Sequence, residues 1–247
     1  MATKIRALLF DLGNTLIYFD GAWTEVMQRA DRELLLSLNA SGLALDEAQF
    51  LQLFRQRLDE YYQQREAEFI EHTTAYVLRN VLAEMGISEI DDQLIERSLK
   101  SLYAVTQQHW IVDDDTISTL TTLREEDYPI GYISNAGNDA DVQRHVDSGQ
   151  LRPFTDFVLS SAACGVRKPN PRIFEIALKN WDFAPEQIAM VGDTLGADIL
   201  GAHNAGLFSI WLTRHADTPA NRDHTDTILP NAQIKTLSEL PELLKSL

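Results

Sequence analysis

Short apolar runs separated by helix-length segments mark the second half of the chain. They cover residues 129–133, 157–159, 188–191 and 207–212, and a similar run at residues 5–10 stands near the N-terminus. Runs of this length are too short for helices and are typical of buried strands. Strands that alternate with helices predict βαβ units with right-handed crossovers, and therefore a parallel sheet.

Apolar residues recur at helical spacing between residues 23 and 105, where no strand pattern is visible. Four amphipathic helices are predicted there; Asp46 and Gln49 form a capping-box pattern before the second, and Gly86 ends the third. Five aromatic side chains are expected in the core of the resulting bundle: Trp23, Phe50, Phe54, Tyr61 and Tyr62. Because the region separates the first strand from the others, it is predicted to be an insertion.

The predicted fold class is α/β, with a Rossmann-like three-layer core built on a parallel sheet. Residues 1–17 and 113–247 are assigned to this core, and residues 18–112 to an all-helical, four-helix insertion. A chain of 247 residues suits one domain that carries such an insertion.

The chain is strongly acidic, with 21 Lys and Arg residues against 37 Asp and Glu residues and a formal net charge of -16. This charge is spread over both predicted parts, which argues against nucleic acid and anionic membranes as partners. Cys164 is the only cysteine, so neither a disulfide within the chain nor a cysteine metal site is possible. Asp11 interrupts the N-terminal apolar stretch too early for a signal sequence, and no segment approaches membrane-spanning length. We therefore expect a cytoplasmic protein.

The ends of several predicted strands carry residue types that suit phosphate chemistry. Asp11 follows the first strand, Ser134 follows the run at 129–133, and Asp193 follows the run at 188–191, with Asp198 about one helical turn later. Lys168 adds a positive charge in an intervening loop. Asp11 alone is equally compatible with a helix-capping role. Together, however, three carboxylates beside one lysine favour a hard cation among them, and Mg²⁺ suits such oxygen ligands.

These motifs resemble those of the haloacid dehalogenase-like (HAD) hydrolase superfamily, in the subgroup with a helical cap inserted after the first motif. The resemblance rests on residues 11–16, Ser134 with Asn135, Lys168 with Pro169, and residues 192–198, in the family's order and at family-like separations. It covers almost the whole chain, and it implies a Mg²⁺-dependent phosphoryl hydrolase with a cap over the site.

The resemblance also implies a role for each residue. Asp11 is the nucleophile that accepts a phosphoryl group and forms an aspartyl-phosphate. Ser134 and Lys168 hold the phosphate, Asp193 is a side-chain ligand of Mg²⁺, and Asp198 orders metal-bound water or Lys168. The candidate catalytic residues are thus Asp11, Thr15, Ser134, Asn135, Lys168 and Asp198, and the candidate metal ligands are Asp11, Gly13 and Asp193.

Gly13 departs from the phosphatase pattern of the family, which has a second Asp two residues after the nucleophile. That Asp normally protonates the leaving alcohol and then activates the water that hydrolyses the aspartyl-phosphate. Its metal contact uses the backbone carbonyl, which Gly13 retains, so we expect an intact Mg²⁺ site without a general acid/base, a loss of ~10²–10⁴ in rate. Asp20 and His72 are candidate substitutes, although a surface role suits each of them as well.

Three functions fit these observations. The first is a Mg²⁺-dependent hydrolase of a small phosphorylated metabolite, with its acid/base supplied from elsewhere or with a leaving group, such as an acyl phosphate, that needs none. The second is a protein that binds Mg²⁺ and phosphate with little turnover. The third, a 2-haloacid dehalogenase, is disfavoured because those enzymes usually have serine where this chain has Asp193. Phosphonoacetaldehyde hydrolase needs a cap lysine, and residues 18–99 contain none.

The sequence names neither a substrate nor an oligomeric state, so a monomer and a homodimer both remain open. The cap is expected to move relative to the core, because a phosphoryl site must admit substrate and then exclude water. Hinges are predicted near residues 17–21 and 109–114.

Overall fold

The computed structural model describes residues 4–247 of the chain. Residues 1–3, which belong to the N-terminal stretch considered above for a signal sequence and for the core, lie outside this part. The strands are β1 (Ala7–Phe10), β2 (Ile17–Phe19), β3 (Trp110–Val112), β4 (Ile130–Ser134), β5 (Phe157–Ser160), β6 (Ile188–Gly192), β7 (Phe208–Leu212) and β8 (Ala232–Ile234). The helices are α1 (Trp23–Ala40), α2 (Glu47–Glu68), α3 (Thr74–Glu84), α4 (Asp92–Thr106), α5 (Thr116–Glu125), α6 (Asp139–Ser148), α7 (Ser161–Cys164), α8 (Pro171–Leu178), α9 (Leu200–Asn204), α10 (Pro219–Arg222) and α11 (Leu240–Ser246).

Six strands form one sheet in the order β5-β4-β1-β6-β7-β8, and all neighbouring pairs are parallel. β1 lies inside the sheet, with Leu9 opposite Gly131 of β4 on one side and opposite Met190 of β6 on the other. Helices cover both faces, as parallel sheets require. The predicted α/β class and parallel sheet are therefore confirmed.

Residues of β1 alternate between the two faces of the sheet. Leu8 and Phe10 belong to one hydrophobic cluster, while Ala7 and Leu9 belong to another on the opposite side. Both faces of this strand are fully buried, which explains why it is a continuous apolar run rather than an alternating pattern. A strand fixed on both faces gives the residue that follows it a well-defined position.

Helices α1–α4, called the helical region below, pack around a hydrophobic cluster of their own. Phe50 and Phe54 are fully buried in it and Tyr61 nearly so, as predicted. The prediction is wrong for two of the five aromatics: Trp23 is 52% exposed and Tyr62 36% exposed. Both side chains line a cavity between the helices and the sheet. Helical spacing places a residue on one face of a helix, but it does not tell a face that meets another helix from one that borders a cavity.

The chain enters and leaves the helical region through an antiparallel ribbon in which β2 pairs with β3. This ribbon overlaps the segments predicted as hinges. The helical region also meets the core elsewhere, at an isolated bridge between Ile70 and Val166. Next to that bridge the Arg167 N–H donates a hydrogen bond of 3.1 Å to the Phe69 carbonyl. The helical region is thus joined to the core by more than the ribbon.

The predicted strands of the sheet agree with the observed ones to within two residues at each end. Three strands were not predicted, namely β2, β3 and β8, and each has only three residues. Among the described residues, no helix combines the length and the apolar character needed to cross a membrane.

Candidate active site

Three adjacent strands end in the predicted site residues. Ser134 is the last residue of β4, Asp11 follows β1 and Asp193 follows β6, and these strands are neighbours in the sheet. All three side chains are buried, with between 3% and 8% of each residue exposed. The parallel order of the strands thus brings residues more than a hundred positions apart to one edge of the sheet.

Lys168 links two of the carboxylates. Its Nζ donates to Asp11 Oδ1 at 2.5 Å, to Asp198 Oδ1 at 2.6 Å and to the Ile133 carbonyl at 2.9 Å. Only 1% of the Lys168 side chain is exposed, so all three donor positions of the ammonium are directed at protein oxygens. We call Asp11, Lys168, Asp193 and Asp198 the nucleophile cluster, because the sequence predicts Asp11 as the nucleophile.

Two local features hold this cluster in place. The Asn135 amide binds the backbone of Lys168 twice, accepting from its N–H at 2.8 Å and donating to its carbonyl at 3.0 Å. Asp198 Oδ2 accepts from the Thr194 N–H at 2.9 Å. Gly192 leaves the space for that carboxylate, because a Cβ there would lie 2.3 Å from the carboxyl carbon of Asp198. Asn135 therefore positions Lys168.

Burial and mutual repulsion shift the pKa values of Asp11 and Asp193 in the same direction. Burial raises the pKa of Asp11 to about 6, with the Asp198 charge adding to the shift and Lys168 opposing it. Burial and the charges of Asp11 and Asp198 raise the pKa of Asp193 well above its usual range. Burial on its own lowers the pKa of Lys168, but the carboxylates beside it make the net shift upward. One ammonium faces three carboxyls, so the cluster carries excess negative charge when they ionise.

The carboxylates of Asp11, Asp193 and Asp198 lie close enough to share an ion. One oxygen from each lies within 4.8 Å of the other two. Mg²⁺ binds through a few carboxylates and keeps water and substrate phosphate as its other ligands. Donor chemistry and excess negative charge therefore both fit a divalent cation at this position.

A cavity of about 800 Å³ opens above the nucleophile cluster, between the strand ends and the helical region. Asp11, Gly13, Ser134, Asn135, Lys168, Asp193 and Asp198 all line it. Apolar side chains from the helical region form much of the opposite wall, among them Trp23, Met27, Leu58 and Leu102. This volume is of the size that holds small metabolites.

The indole of Trp110 lies beside Gly13, where a longer side chain would project. A Cβ added to Gly13 would lie 3.4 Å from Trp110 Cη2, which is an ordinary contact. Gly13 is not in the left-handed region, whereas Asn14 has a φ of 57°. Trp110 is itself held edge-on by Phe19 and His145. The backbone therefore permits a side chain at position 13, but a carboxylate there would have to share its space with the indole.

Three residues considered from the sequence do not line the cavity. Thr15 is fully buried, and its hydroxyl has no hydrogen-bond partner among the described residues. Asp20 is exposed, and its backbone carbonyl lies 2.7 Å from His109 Nδ1. His72 stacks on Tyr76, with 4.7 Å between the ring centroids. Asp20 and His72 are thus poorly placed to replace the missing acid/base, and a surface role accounts for both.

A histidine and aspartate pair in the cavity wall was not recognised from the sequence. His145 Nε2 lies 3.3 Å from Asp141 Oδ2, and the Gln107 side chain donates to Asp141 Oδ1 at 2.6 Å. Asp141 and His145 both line the cavity, one turn apart on α6. Their i, i+4 spacing was visible in the sequence, but only the fold brings this face of α6 to the cavity.

A second buried group of ions was also missed, and we call it the Glu71 cluster. Glu71 Oε2 accepts from Arg167 Nη1 at 3.0 Å and from the Ser161 hydroxyl at 2.7 Å, and Oε1 accepts from the Tyr61 hydroxyl at 2.5 Å. The Glu71 side chain is completely buried. One carboxylate, one guanidinium and two hydroxyls balance here, so this cluster fastens the helical region to the core.

Comparisons with known proteins agree with this geometry. Residues 5–206 match the family described as haloacid dehalogenase-like hydrolase. A glyceraldehyde 3-phosphate phosphatase from Methanothermobacter thermautotrophicus is 30% identical over 97% of this chain and all of its own length. An N-acylneuraminate-9-phosphatase from Mus musculus is 28% identical over 99% of this chain and 96% of its own. A 2-haloacid dehalogenase structure from Pseudomonas syringae superposes with a TM-score of 0.69 and 26% identity, covering 98% of this chain and 99% of that one.

Proposed function

The chain belongs to the haloacid dehalogenase-like hydrolases, and from that premise we propose that it hydrolyses a small phosphorylated metabolite through a phosphoryl group carried on Asp11. Relatives in this family are named as phosphatases, so the hydrolase class is not in question. The proposal concerns the reaction, the metal and the residues that act.

The observation that carries the proposal is the contact of Lys168 Nζ with Asp11 at 2.5 Å and with Asp198 at 2.6 Å beside a third carboxyl, Asp193. A lone buried carboxylate with a lysine would form a simple ion pair. Three carboxyls around one lysine are crowded until positive charge arrives. This arrangement suits a site that binds Mg²⁺ and a phosphoryl group together.

In the proposed reaction, an Asp11 carboxylate oxygen attacks the phosphorus of the ester. The new O–P bond forms as the bond from phosphorus to the leaving oxygen breaks, and the aspartyl-phosphate is then hydrolysed by water. The Ser134 hydroxyl donates to a phosphoryl oxygen and the Lys168 ammonium supplies positive charge beside the phosphoryl group, while Asp198 keeps Lys168 in position. Asp11, the Gly13 carbonyl and Asp193 would hold the Mg²⁺, which supplies positive charge for the transferring group.

Gly13 gives this enzyme no carboxyl that could protonate the leaving group. Phosphates with acidic leaving groups do not need that proton, whereas alkyl phosphates do. The His145 and Asp141 pair in the cavity wall is our candidate for moving a proton, and it takes the place of Asp20 and His72 in our proposal.

Residues 18–112 are proposed to be a cap that closes over the strand ends. Two observations support this: four helices with their own core, and a cavity that lies between them and the sheet. Closure would exclude water from the phosphoryl group until transfer is complete. We propose that the cap moves relative to the core by bending at the β2–β3 ribbon, which overlaps the predicted hinges.

Two other functions make different predictions. A Mg²⁺- and phosphate-binding protein with little turnover is favoured by the absence of a carboxyl at Gly13. A 2-haloacid dehalogenase is disfavoured by Asp193, because a third carboxyl next to Asp11 would repel the nucleophile with no cation to relieve it.

A phosphate-release assay tests the proposal against both. Wild type and Asp11→Asn are compared on p-nitrophenyl phosphate, acetyl phosphate and glycerol phosphate, with Mg²⁺ and with EDTA. We expect release that needs both Mg²⁺ and Asp11, with glycerol phosphate slower by roughly 10²-fold. Absence of release from every ester favours the binding protein, and chloride release from 2-chloropropionate without metal favours the dehalogenase.

Calorimetry with Mg²⁺ tests the metal site separately. Asp193→Asn should weaken binding by more than the roughly 10–100-fold that loss of an outer-shell partner costs, because Asp193 is a proposed direct ligand. Thr194→Val is the control, since it removes only the 3.2 Å hydrogen bond to Asp193 Oδ1. Equal Mg²⁺ affinity in wild type and Asp193→Asn would mean that the site lies elsewhere.

A further inference from the structure

Arg65 occupies an unusual position on α2. It lines the cavity together with Leu58, Tyr61, Tyr62 and Phe69, which recur at helical spacing on the same face of the chain. Placing an arginine in a row of apolar and aromatic residues costs side-chain entropy and solvation of its charge. Such a cost suggests a functional role for Arg65. The sequence carried this signal, and the fold shows that the row borders the cavity.

The guanidinium of Arg65 has no close partner among the described residues. Its Nε is buried and makes no hydrogen bond. The nearest carboxylate is that of Glu66, at 3.6 Å from Nε, and the Glu66 side chain is 69% exposed. A contact of this length to a solvated carboxylate contributes little.

The other lysine and arginine that line the cavity are both paired. Lys168 binds Asp11 and Asp198, and Arg167 binds Glu71. Within residues 4–247, Arg65 is therefore the one cavity-lining Lys or Arg without a carboxylate at hydrogen-bond distance. A substrate carboxylate that enters the cavity would have to replace only the 3.6 Å contact of Arg65 with Glu66, a largely exposed side chain that also lines the cavity.

Aromatic rings hold the guanidinium in place. Arg65 Cζ lies 4.1 Å from the centroid of the Tyr62 ring and 5.6 Å from that of Tyr61. Stacking of this kind orients a guanidinium and leaves its N–H groups free for a planar anion. This contact also explains why Tyr62 lies at the cavity rather than in the helical core.

Arg65 and the nucleophile cluster line the same cavity of about 800 Å³. The Phe69 N–H donates to the Arg65 carbonyl at 2.9 Å, and the Phe69 carbonyl accepts from Arg167, the neighbour of Lys168. One helical turn of about 6 Å therefore separates Arg65 from the point where α2 meets the Lys168 loop. A substrate held by its phosphate at Asp11 can reach Arg65 with its other end.

We propose that Arg65 binds a carboxylate at the end of the substrate opposite to the phosphate, so that the natural substrate is the phosphate ester of a hydroxy acid or sugar acid. A single guanidinium matches one negative charge and binds a carboxylate through two parallel hydrogen bonds. A second phosphate would bring about two charges against that one cation. The inference rests on the proposed phosphatase function for the other end of the substrate.

The test compares substrates that differ only in the terminal group. 3-Phosphoglycerate is paired with glycerol 3-phosphate, and 6-phosphogluconate with glucitol 6-phosphate; fructose 1,6-bisphosphate supplies a second phosphate instead. The proteins are wild type, Arg65→Gln, and Arg57→Gln, a control on the same helix whose guanidinium binds Glu60 and Glu84 outside the cavity. Values of kcat/KM are measured for each.

Wild type should prefer the acid in at least one pair. Arg65→Gln should lower kcat/KM for that acid by about 10–100-fold and change its neutral partner by less than about twofold. Arg57→Gln should behave as wild type. Equal losses on acid and neutral partner, or no preference for either acid in wild type, would overturn the inference. A loss confined to the bisphosphate would assign Arg65 to a phosphate instead.

Binding to Asp11→Asn separates this inference from the proposed reaction, because it requires no turnover. Calorimetry should show tighter binding of 6-phosphogluconate or 3-phosphoglycerate than of its neutral partner, and Arg65→Gln should remove the difference. If wild type hydrolyses no ester but this difference is seen, the reaction is wrong and the carboxylate site stands. If esters are hydrolysed and the difference is absent, the carboxylate site is wrong.

Discussion

The nucleophile cluster and the Glu71 cluster are both buried groups of ions, and both include a residue of the segment 165–168. The first sets three carboxyls around Lys168, and burial and repulsion raise the pKa values of Asp11 and Asp193. The second sets one carboxylate, Glu71, against Arg167 and two hydroxyls. One cluster has excess negative charge, and the other is balanced.

The difference separates a site for chemistry from a structural contact. Groups whose pKa values are shifted by crowding and burial are typical of functional sites. Their charges are not neutralised by the protein itself, so a ligand or ion can supply the missing charge. A buried carboxylate that is paired with a guanidinium and hydrogen-bonded through both oxygens requires no ligand. Removing one negative charge should therefore have opposite effects on the stability of the two clusters.

Asp11→Asn tests the crowded cluster and has the largest expected effect. Loss of the nucleophile should lower phosphatase turnover by roughly 10⁴–10⁶-fold. The same change removes a repelling charge, so the free energy of unfolding of the metal-free protein should rise or stay level. Turnover assays and urea unfolding in EDTA measure the two quantities, and a clearly less stable variant would contradict the account of excess charge.

Glu71→Gln tests the balanced cluster. It leaves Arg167 buried without a counter-charge, so the free energy of unfolding should fall by about 3 kcal/mol. Glu66→Gln is the matched control, because that carboxylate is 69% exposed and its loss should have little effect on unfolding. Urea denaturation measures both, and equal stability in all three proteins would show that the Glu71 cluster does not fasten the helical region.

The metal-free protein should lose stability between about pH 4 and pH 6. Asp11 has a pKa of about 6 in the folded chain against an ordinary 3.8, so the folded state holds the proton that the unfolded state has released. The free energy of unfolding therefore falls as pH rises through this range, and Asp193 acts in the same direction. Urea unfolding across this range in EDTA should show a shallower slope in Asp11→Asn than in wild type. Parallel slopes would place the titration elsewhere.

Gly13→Asp has the smallest expected effect. A carboxylate at this position meets the indole of Trp110, so glycerol phosphate turnover should rise by less than about tenfold, short of the ~10²–10⁴ of a well-placed general acid/base. Gly13→Ala separates the effect of a Cβ from that of the carboxyl. Adding Trp110→Ala to Gly13→Asp should raise glycerol phosphate turnover further, because it removes the indole beside position 13. A single variant that gains 10² or more would show that the indole does not obstruct the side chain.

The sheet and the nucleophile cluster were predictable because each depends on short-range patterns. Continuous apolar runs identify strands buried on both faces, and the rule that parallel strands end at one edge brings Asp11, Ser134 and Asp193 together. β8 was not predicted because its three residues give too little periodicity to detect.

The cavity wall was not predictable in the same way. Trp110 is 97 positions from Gly13 in the sequence, and their contact depends on how β2 and β3 pair. Helical spacing placed Tyr62 on a buried face, but which surface that face meets is a tertiary property. Arg65 was visible in an apolar row, yet only the fold shows that the row borders an open space.

The adjacency of Arg167 and Lys168 has a consequence for substrate discrimination. Arg167 joins the segment 165–168 to the helical region, while Lys168 binds Asp11, the proposed nucleophile. Contacts made far from phosphorus therefore help to position the reacting groups. Remote binding energy of this kind is expressed in the rate of the chemical step as well as in affinity. Substrates truncated at the end remote from the phosphate should thus have a lower kcat as well as a higher KM, and short phosphate esters, although they fit the strand ends, should be hydrolysed slowly.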